Sequence, residues 1–235
     1  MKFIVKFSKI FLCLLLVSCT EDNLPYYQSE PWIAPKTYRY LALGDSYTIG
    51  QSVCETCRFP AQLKTQLQNT MAKTTVATNI IATTGWTTTN LISAINTQNP
   101  NANYDLVTLL IGVNNQSQRK PFSLYESEFP QLVDKAIALA KGDKTNVIVV
   151  SIPDYAYTPY GNGAANISTE IAQYNTFAQN YCSSNQIVFV NITDITQQGL
   201  INPQLVASDE LHPSELAYSK FVERIFPIAQ TILIQ

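Results

Sequence analysis

The chain has 235 residues, 46% of them hydrophobic and only 14% charged, which suits a folded core and excludes a disordered chain. Lys and Arg number 15 against 17 Asp and Glu, a net charge of −2, so no basic field exists to hold a nucleic acid. The single histidine, His212, excludes a multi-histidine metal site, and 5 scattered cysteines are too few for a disulfide scaffold.

Lys2, Lys6 and Lys9 precede an apolar run over residues 10–17. That run is far shorter than the ~20 residues that span a bilayer, but it suits the core of a signal peptide. It ends in Leu16-Val17-Ser18-Cys19, which resembles the lipobox of bacterial lipoproteins. The resemblance implies a signal peptide over residues 1–18 and a lipid on the Cys19 sulfur, a stable anchor once two or more acyl chains are attached. The other reading is an ordinary secretory signal that contains a cysteine. Residue 20 is Thr rather than the Asp of inner-membrane retention, which points to the outer membrane of the envelope. Residues 19–36, polar and with Pro25, Pro31 and Pro35, read as a lipidated N-terminus and extended tether, leaving 37–235 as one domain.

From there strand and helix patterns alternate. Residues 38–43 form an apolar, aromatic-rich strand stopping at Gly44, and 59–73 carry helical spacing at Leu63, Leu67 and Met71. Residues 76–82 read as a second strand, 88–96 as a short helix and 106–111 as a fully apolar third strand. A long helix over 123–141 is expected to bend or restart at Pro130. A fourth strand over 147–152 and a helix over 168–185, with Ser168 as its N-cap, follow. A fifth strand over 187–192 and a last helix over 214–233, with a kink at Pro227, end the chain. Five buried strands alternating with helices imply an α/β fold with a parallel sheet covered on both faces. Ligands in such folds bind outside the carboxyl ends of the strands.

The loops at those ends carry a hydrolase constellation. Gly44-Asp45-Ser46-Tyr47 follows the first strand, Gly85 the second and Gly112-Val113-Asn114-Asn115 the third, while Asp209-Glu210-Leu211-His212 precedes the last helix. A serine hydroxyl needs a base to become a nucleophile, and only His212 can serve Ser46. Asp209, three residues upstream, can fix the imidazole tautomer. An oxyanion needs preset donors, and the N–H groups of Ser46 and Gly85 and the Asn114 amide are the candidates. Each feature alone is a common turn or cap, but together they supply every part of an acyl-transfer site.

These four blocks resemble those of the SGNH, or GDSL-like, esterase and lipase family, over residues 38–235. The resemblance implies a flavodoxin-like three-layer α/β/α sandwich with strand order 2-1-3-4-5. It implies hydrolysis of a carboxylic ester through an acyl-serine, with no cofactor or metal. It carries Ser46 over as nucleophile, His212 as base, Asp209 as its orienter, and Ser46, Gly85 and Asn114 as the oxyanion hole. Two positions depart from the family pattern: Tyr47 stands where leucine is usual and Asn115 where aspartate is usual. Ser46 also lacks a Gly-x-Ser-x-Gly elbow. Short-acyl or acetyl esters of glycans compete with lysophospholipids and other lipids as substrate, and an acyltransferase is a close variant. The alternative class is a glycan- or ligand-binding lipoprotein with a vestigial triad.

In an exported protein, Cys54 and Cys57 read as a local disulfide rather than a redox pair. Cys182 reads as a small buried hydrophobe. The loop over 154–166, with Tyr155, Tyr157 and Tyr160, is a candidate wall of the site or else a mobile surface loop; Trp86 is a candidate wall or a core aromatic.

Overall fold

The computed structural model describes residues 34–235; the leader, Cys19 and most of the tether lie outside the described residues. Five strands, β1 (Lys36–Gly44), β2 (Thr74–Ala82), β3 (Leu106–Leu110), β4 (Val147–Val150) and β5 (Val188–Val190), form one parallel sheet. Their spatial order is β2-β1-β3-β4-β5, as the family resemblance implied. Every residue of β3 and β4 is buried, which is why these segments read as unbroken apolar runs rather than alternating ones. Register is held inside the sheet as well as by the ladder: Tyr40 Oη and Thr108 Oγ1 lie 2.8 Å apart, both out of water.

The helices are α1 (Ser46–Ile49), α2 (Phe59–Thr70), α3 (Thr88–Gln98), α4 (Val113–Ser117), α5 (Phe122–Leu139), α6 (Ala165–Asn185), α7 (Thr193–Thr196) and α8 (Glu215–Ile234). α2 and α8 pack together on one face of the sheet, and α3, α5 and α6 cover the other. This is the three-layer sandwich. None of the described helices is long and apolar enough to cross a membrane.

Several boundaries differ from expectation for local reasons. The first strand begins at Lys36, which pairs in register with Thr74, so the last residue assigned to the tether belongs to the sheet. α5 does not restart at Pro130 but runs on through it, and α8 likewise includes Pro227. In α5 buried side chains lie on both sides of the proline, Tyr125 and Phe129 before it and Leu132 and Val133 after it. Burying that continuous face offsets the one backbone bond the proline removes. α6 starts at Ala165, not at Ser168; the Ser168 hydroxyl donates to Asp154 Oδ2 instead of capping the helix. α1, α4 and α7 are too short to show a helical period, and each follows a strand end directly.

Asn115, one of the two departures from the family pattern, has no exposed surface. Its Oδ1 accepts from the Thr88 backbone N–H at 2.9 Å and its Nδ2 donates to Thr88 Oγ1 at 2.6 Å. Thr88 Oγ1 passes its own proton to Glu128 Oε2. An amide both accepts and donates here, so one side chain ties α4 to the start of α3 and through it to α5; an ionised aspartate could not donate. Asn115→Ala leaves the buried Thr88 N–H without a partner and is expected to cost ~2 kcal/mol, a drop in Tm of roughly 4–8 °C. Thermal unfolding of the variant measures it, and an unchanged Tm would remove the network from the account.

Candidate active site

All five strands point the same way, so their carboxyl ends deliver β1, β2 and β3 loops to one rim of the sheet. Gly44 closes β1 where a Cβ would lie 2.4 Å from the Leu110 carbonyl oxygen, so no larger residue lets the chain turn there. Asp45 then caps α1, its Oδ1 accepting from Tyr47 N–H at 3.0 Å. Ser46 is the first residue of that helix, so its backbone N–H has no partner within it.

Asn114, in α4, donates from Nδ2 to the Trp86 carbonyl at 3.0 Å and faces Asp45 Oδ2 at 3.5 Å. The first bond fixes the amide between two loops. The second is at the long limit and is readily exchanged for a shorter bond to a charged oxygen. Gly85 is the third residue of a turn closed by Trp86 N–H and the Thr83 carbonyl at 3.2 Å, with φ +83°. That sign of φ is what the position requires of a glycine. A Cβ on Gly85 would meet nothing within 4 Å, so the space beside it is open.

On the other side, Asp209 and His212 form one compact turn. Asp209 Oδ1 accepts from the backbone N–H groups of Leu211 and His212, at 3.1 and 2.9 Å. Its Oδ2 lies 2.6 Å from His212 Nδ1 and accepts from Ser52 Oγ at 2.6 Å. Burial pushes this carboxyl up, but the bonds from Ser52, from His212 N–H, from its ring and from Leu211 outweigh that and hold it well below the usual carboxylate range. The Tyr47 ring lies against the imidazole with centroids 5.2 Å apart. Tyr47, where the family pattern has leucine, thus packs tilted against the His212 ring.

Ser46, Asn114 and His212 line a single cavity of about 100 Å³, with Tyr155 and Tyr160 across from them. No hydrogen bond joins Ser46 to His212 among the described residues; in sites without substrate that bond is often long. Gly85 does not line the cavity; its carbonyl accepts from Gln118 Nε2 at 2.8 Å. Trp86 contributes its carbonyl to Asn114 while its ring packs on the core. The tyrosine loop does form a wall and is tied down, with Tyr160 N–H donating to the Glu210 carbonyl at 3.0 Å and Gly163 N–H to Ala156 at 2.8 Å. Cys54 and Cys57 are joined in a disulfide beyond Ser52, and Cys182 is buried and free. Among the described residues no three His, Cys, Asp or Glu side chains gather as metal ligands would.

Residues 42–220 match the GDSL-like Lipase/Acylhydrolase family. The chain belongs to that family. As a GDSL-like hydrolase it acts on ester bonds. Its fold is similar to that of an acetyl xylan esterase variant from Geobacillus stearothermophilus, at 18% identity and a TM-score of 0.62, covering 82% of this chain and 94% of that one. A lipase/acylhydrolase from Enterococcus faecalis gives 16% and 0.64, covering 83% and 96%. A lipase from a goat rumen metagenome gives 16% and 0.66, covering 82% and 98%. No curated protein matches the sequence.

Sequence reasoning missed two residues of this GDSL-like site. Ser52 has no spacing signal, because its reach to Asp209 depends on the path of the loop after α1. Asp45 was visible only as part of the Gly-Asp-Ser turn. Its carboxyl has no exposed surface, and burial pushes it up to about 7, against bonds from Tyr47 N–H and the Asn114 amide that favour its ionised form. The two aspartates therefore affect stability in opposite senses. Asp45 holds its proton more tightly folded than unfolded, so its contribution is present below about pH 4 and is lost as the pH rises to about 7. Asp209 is shifted down, so its contribution is present above about pH 4 and is lost as the pH falls below that. In Tm measurements against pH, Asp45→Asn should gain on the wild type between pH 4 and 7. Asp209→Asn should close its deficit only in acid. Parallel curves for all three proteins would contradict both assignments.

Proposed function

We propose that this GDSL-like hydrolase cleaves short-chain carboxylic esters through an acyl-serine. The observation that carries the reading is the 2.6 Å contact of Asp209 Oδ2 with His212 Nδ1 beside a cavity that His212 shares with Ser46 and Asn114. Ser46 Oγ attacks the ester carbonyl carbon as His212 Nε2 takes its proton. The carbonyl π electrons move to oxygen, and that oxyanion accepts from Ser46 N–H, Gly85 N–H and Asn114 Nδ2. On collapse the C–O bond to the alcohol breaks, and His212 returns the proton to the leaving oxygen. Water repeats the sequence on the acyl-serine and releases the acid. Asp209 keeps the Nδ1 proton in place and stabilises the imidazolium in both halves.

The size of the cavity supports a short acyl group. At about 100 Å³ it holds roughly three water volumes, room for an acetyl or slightly larger group. A neighbour in fold described as an acetyl xylan esterase is consistent with that choice. A binding protein with a vestigial triad would have lost one of these side chains, and none is lost.

We also propose a lipid on Cys19 that holds the enzyme at the outer membrane of the envelope, facing the periplasm or the surface. The lipobox-like Leu16-Val17-Ser18-Cys19 supports it.

Two experiments test these readings. Ser46→Ala should lower kcat on p-nitrophenyl acetate by at least ~10³ while Tm holds, with wild-type rates falling as the acyl chain lengthens. Normal turnover by the folded variant would end the acyl-serine mechanism. Cys19→Ala should move the protein out of the membrane fraction and abolish labelling by palmitate, with esterase activity retained. Equal labelling of both forms would exclude Cys19 as the lipid site.

A further inference from the structure

A second, larger groove of about 630 Å³ opens beside the Ser46 cavity. Ser117 and Tyr155 line both, so the groove begins where the cavity ends. Its volume is in the range of a ligand site, and several times what the ester group needs.

The groove has two kinds of wall. One is apolar: the half-buried Phe122 ring, backed edge to face by the buried Tyr174 with centroids 4.9 Å apart. The other is polar and partly preset. Tyr155 Oη donates to Gln116 Oε1 at 2.7 Å, and Gln116 Nε2 donates to Glu170 Oε2 at 2.7 Å. That relay runs from the cavity into the groove and fixes the Glu170 carboxylate, whose Oε1 makes no hydrogen bond among the described residues. Arg119 and Lys120 bring donors to the same groove, and their side chains have no ion pair or hydrogen bond among the described residues. Arg119 also sits at φ +55°, in the left-handed region that favours glycine or asparagine. Arg119 is exposed, and its guanidinium is free to bond a ligand in the groove that adjoins the Ser46 cavity.

We infer that this groove binds the glycosyl part of an O-acylated glycan, with the Phe122 ring under the sugar's C–H face, Glu170 accepting from its hydroxyls and Arg119 and Lys120 donating to them. A polyhydroxylated ring needs acceptors, donors and a flat apolar base together, and the groove supplies all three. A long acyl chain would instead strip water from two cations and a carboxylate without giving them partners. The inference rests on ester hydrolysis at Ser46 and adds the class of alcohol.

The test compares kcat/KM on acetylated xylotetraose with kcat/KM on p-nitrophenyl acetate, whose alcohol is too small to fill the groove. In Glu170→Ala and in Arg119→Gly the ratio of glycan to nitrophenyl ester should fall about tenfold, the equivalent of one charge-assisted hydrogen bond, chiefly through a higher KM. Arg119→Gly should also hold or raise Tm, because glycine suits that backbone, so any loss on the glycan is not a loss of folding. An unchanged ratio in both variants overturns the groove assignment while leaving the esterase reading intact. So does a wild type that prefers lysophosphatidylcholine to the acetylated glycan. Full activity of Ser46→Ala on both substrates overturns the esterase reading and this inference with it.

Discussion

Asp45 is fully buried, yet it is bonded to Tyr47 N–H on one side and set against the Asn114 amide on the other. It stands at the point where β1 becomes α1, one residue before Ser46. The loop after β3 reaches it through Asn114, and Asn114 reaches the loop after β2 through the Trp86 carbonyl. Three strand ends are thus joined at one carboxyl group that water does not touch. In that low-dielectric setting each of these bonds is stronger than at the surface, and a misplaced partner costs more. Asp45 thus fixes the Ser46 turn, while the bond to the Trp86 carbonyl holds the Asn114 amide next to it.

The second half of the site is built by different means. Asp209 and His212 are three residues apart, so their contact needs only a tight turn, and backbone N–H groups from that turn satisfy the same carboxylate. Ser52 supplies the link to the Ser46 loop, 157 residues away in sequence. Two aspartates in one site therefore lean in opposite directions. Asp45, dehydrated and with few donors, is pushed toward its neutral form, while Asp209, ringed by donors, is held ionised. Only the second environment can support an imidazolium.

Beyond the reacting centre, the packing of α5 on α6 sets the shape of the surface next to it. Phe122, Tyr125, Phe129, Tyr174 and Phe177 form a continuous aromatic cluster between these helices. Phe122 is half-buried and lines the groove with the buried Tyr174 behind it, so the groove wall is an extension of the core.

The class of fold and the four blocks were legible in the sequence, because each rests on local pattern; the order of the strands came only with the family resemblance those blocks carry. A strand covered on both faces has to be apolar throughout, as in residues 106–110, and a turn at a strand end has to carry Gly, Asp or Asn. The Asp209–His212 pair was legible for the same reason, since a separation of three closes in one turn. What lay beyond reach depended on contacts between distant segments. The continuity of α5 through Pro130 depends on what its face packs against, and the bond of Ser168 to Asp154 depends on the loop that precedes it. Ser52, the buried Asn115–Thr88–Glu128 chain and the Tyr155–Gln116–Glu170 relay each join side chains from separate elements, none marked by composition or spacing. Sequence carries the periods of single elements; which polar groups meet across them is decided only when the helices dock on the sheet and every buried donor must find an acceptor.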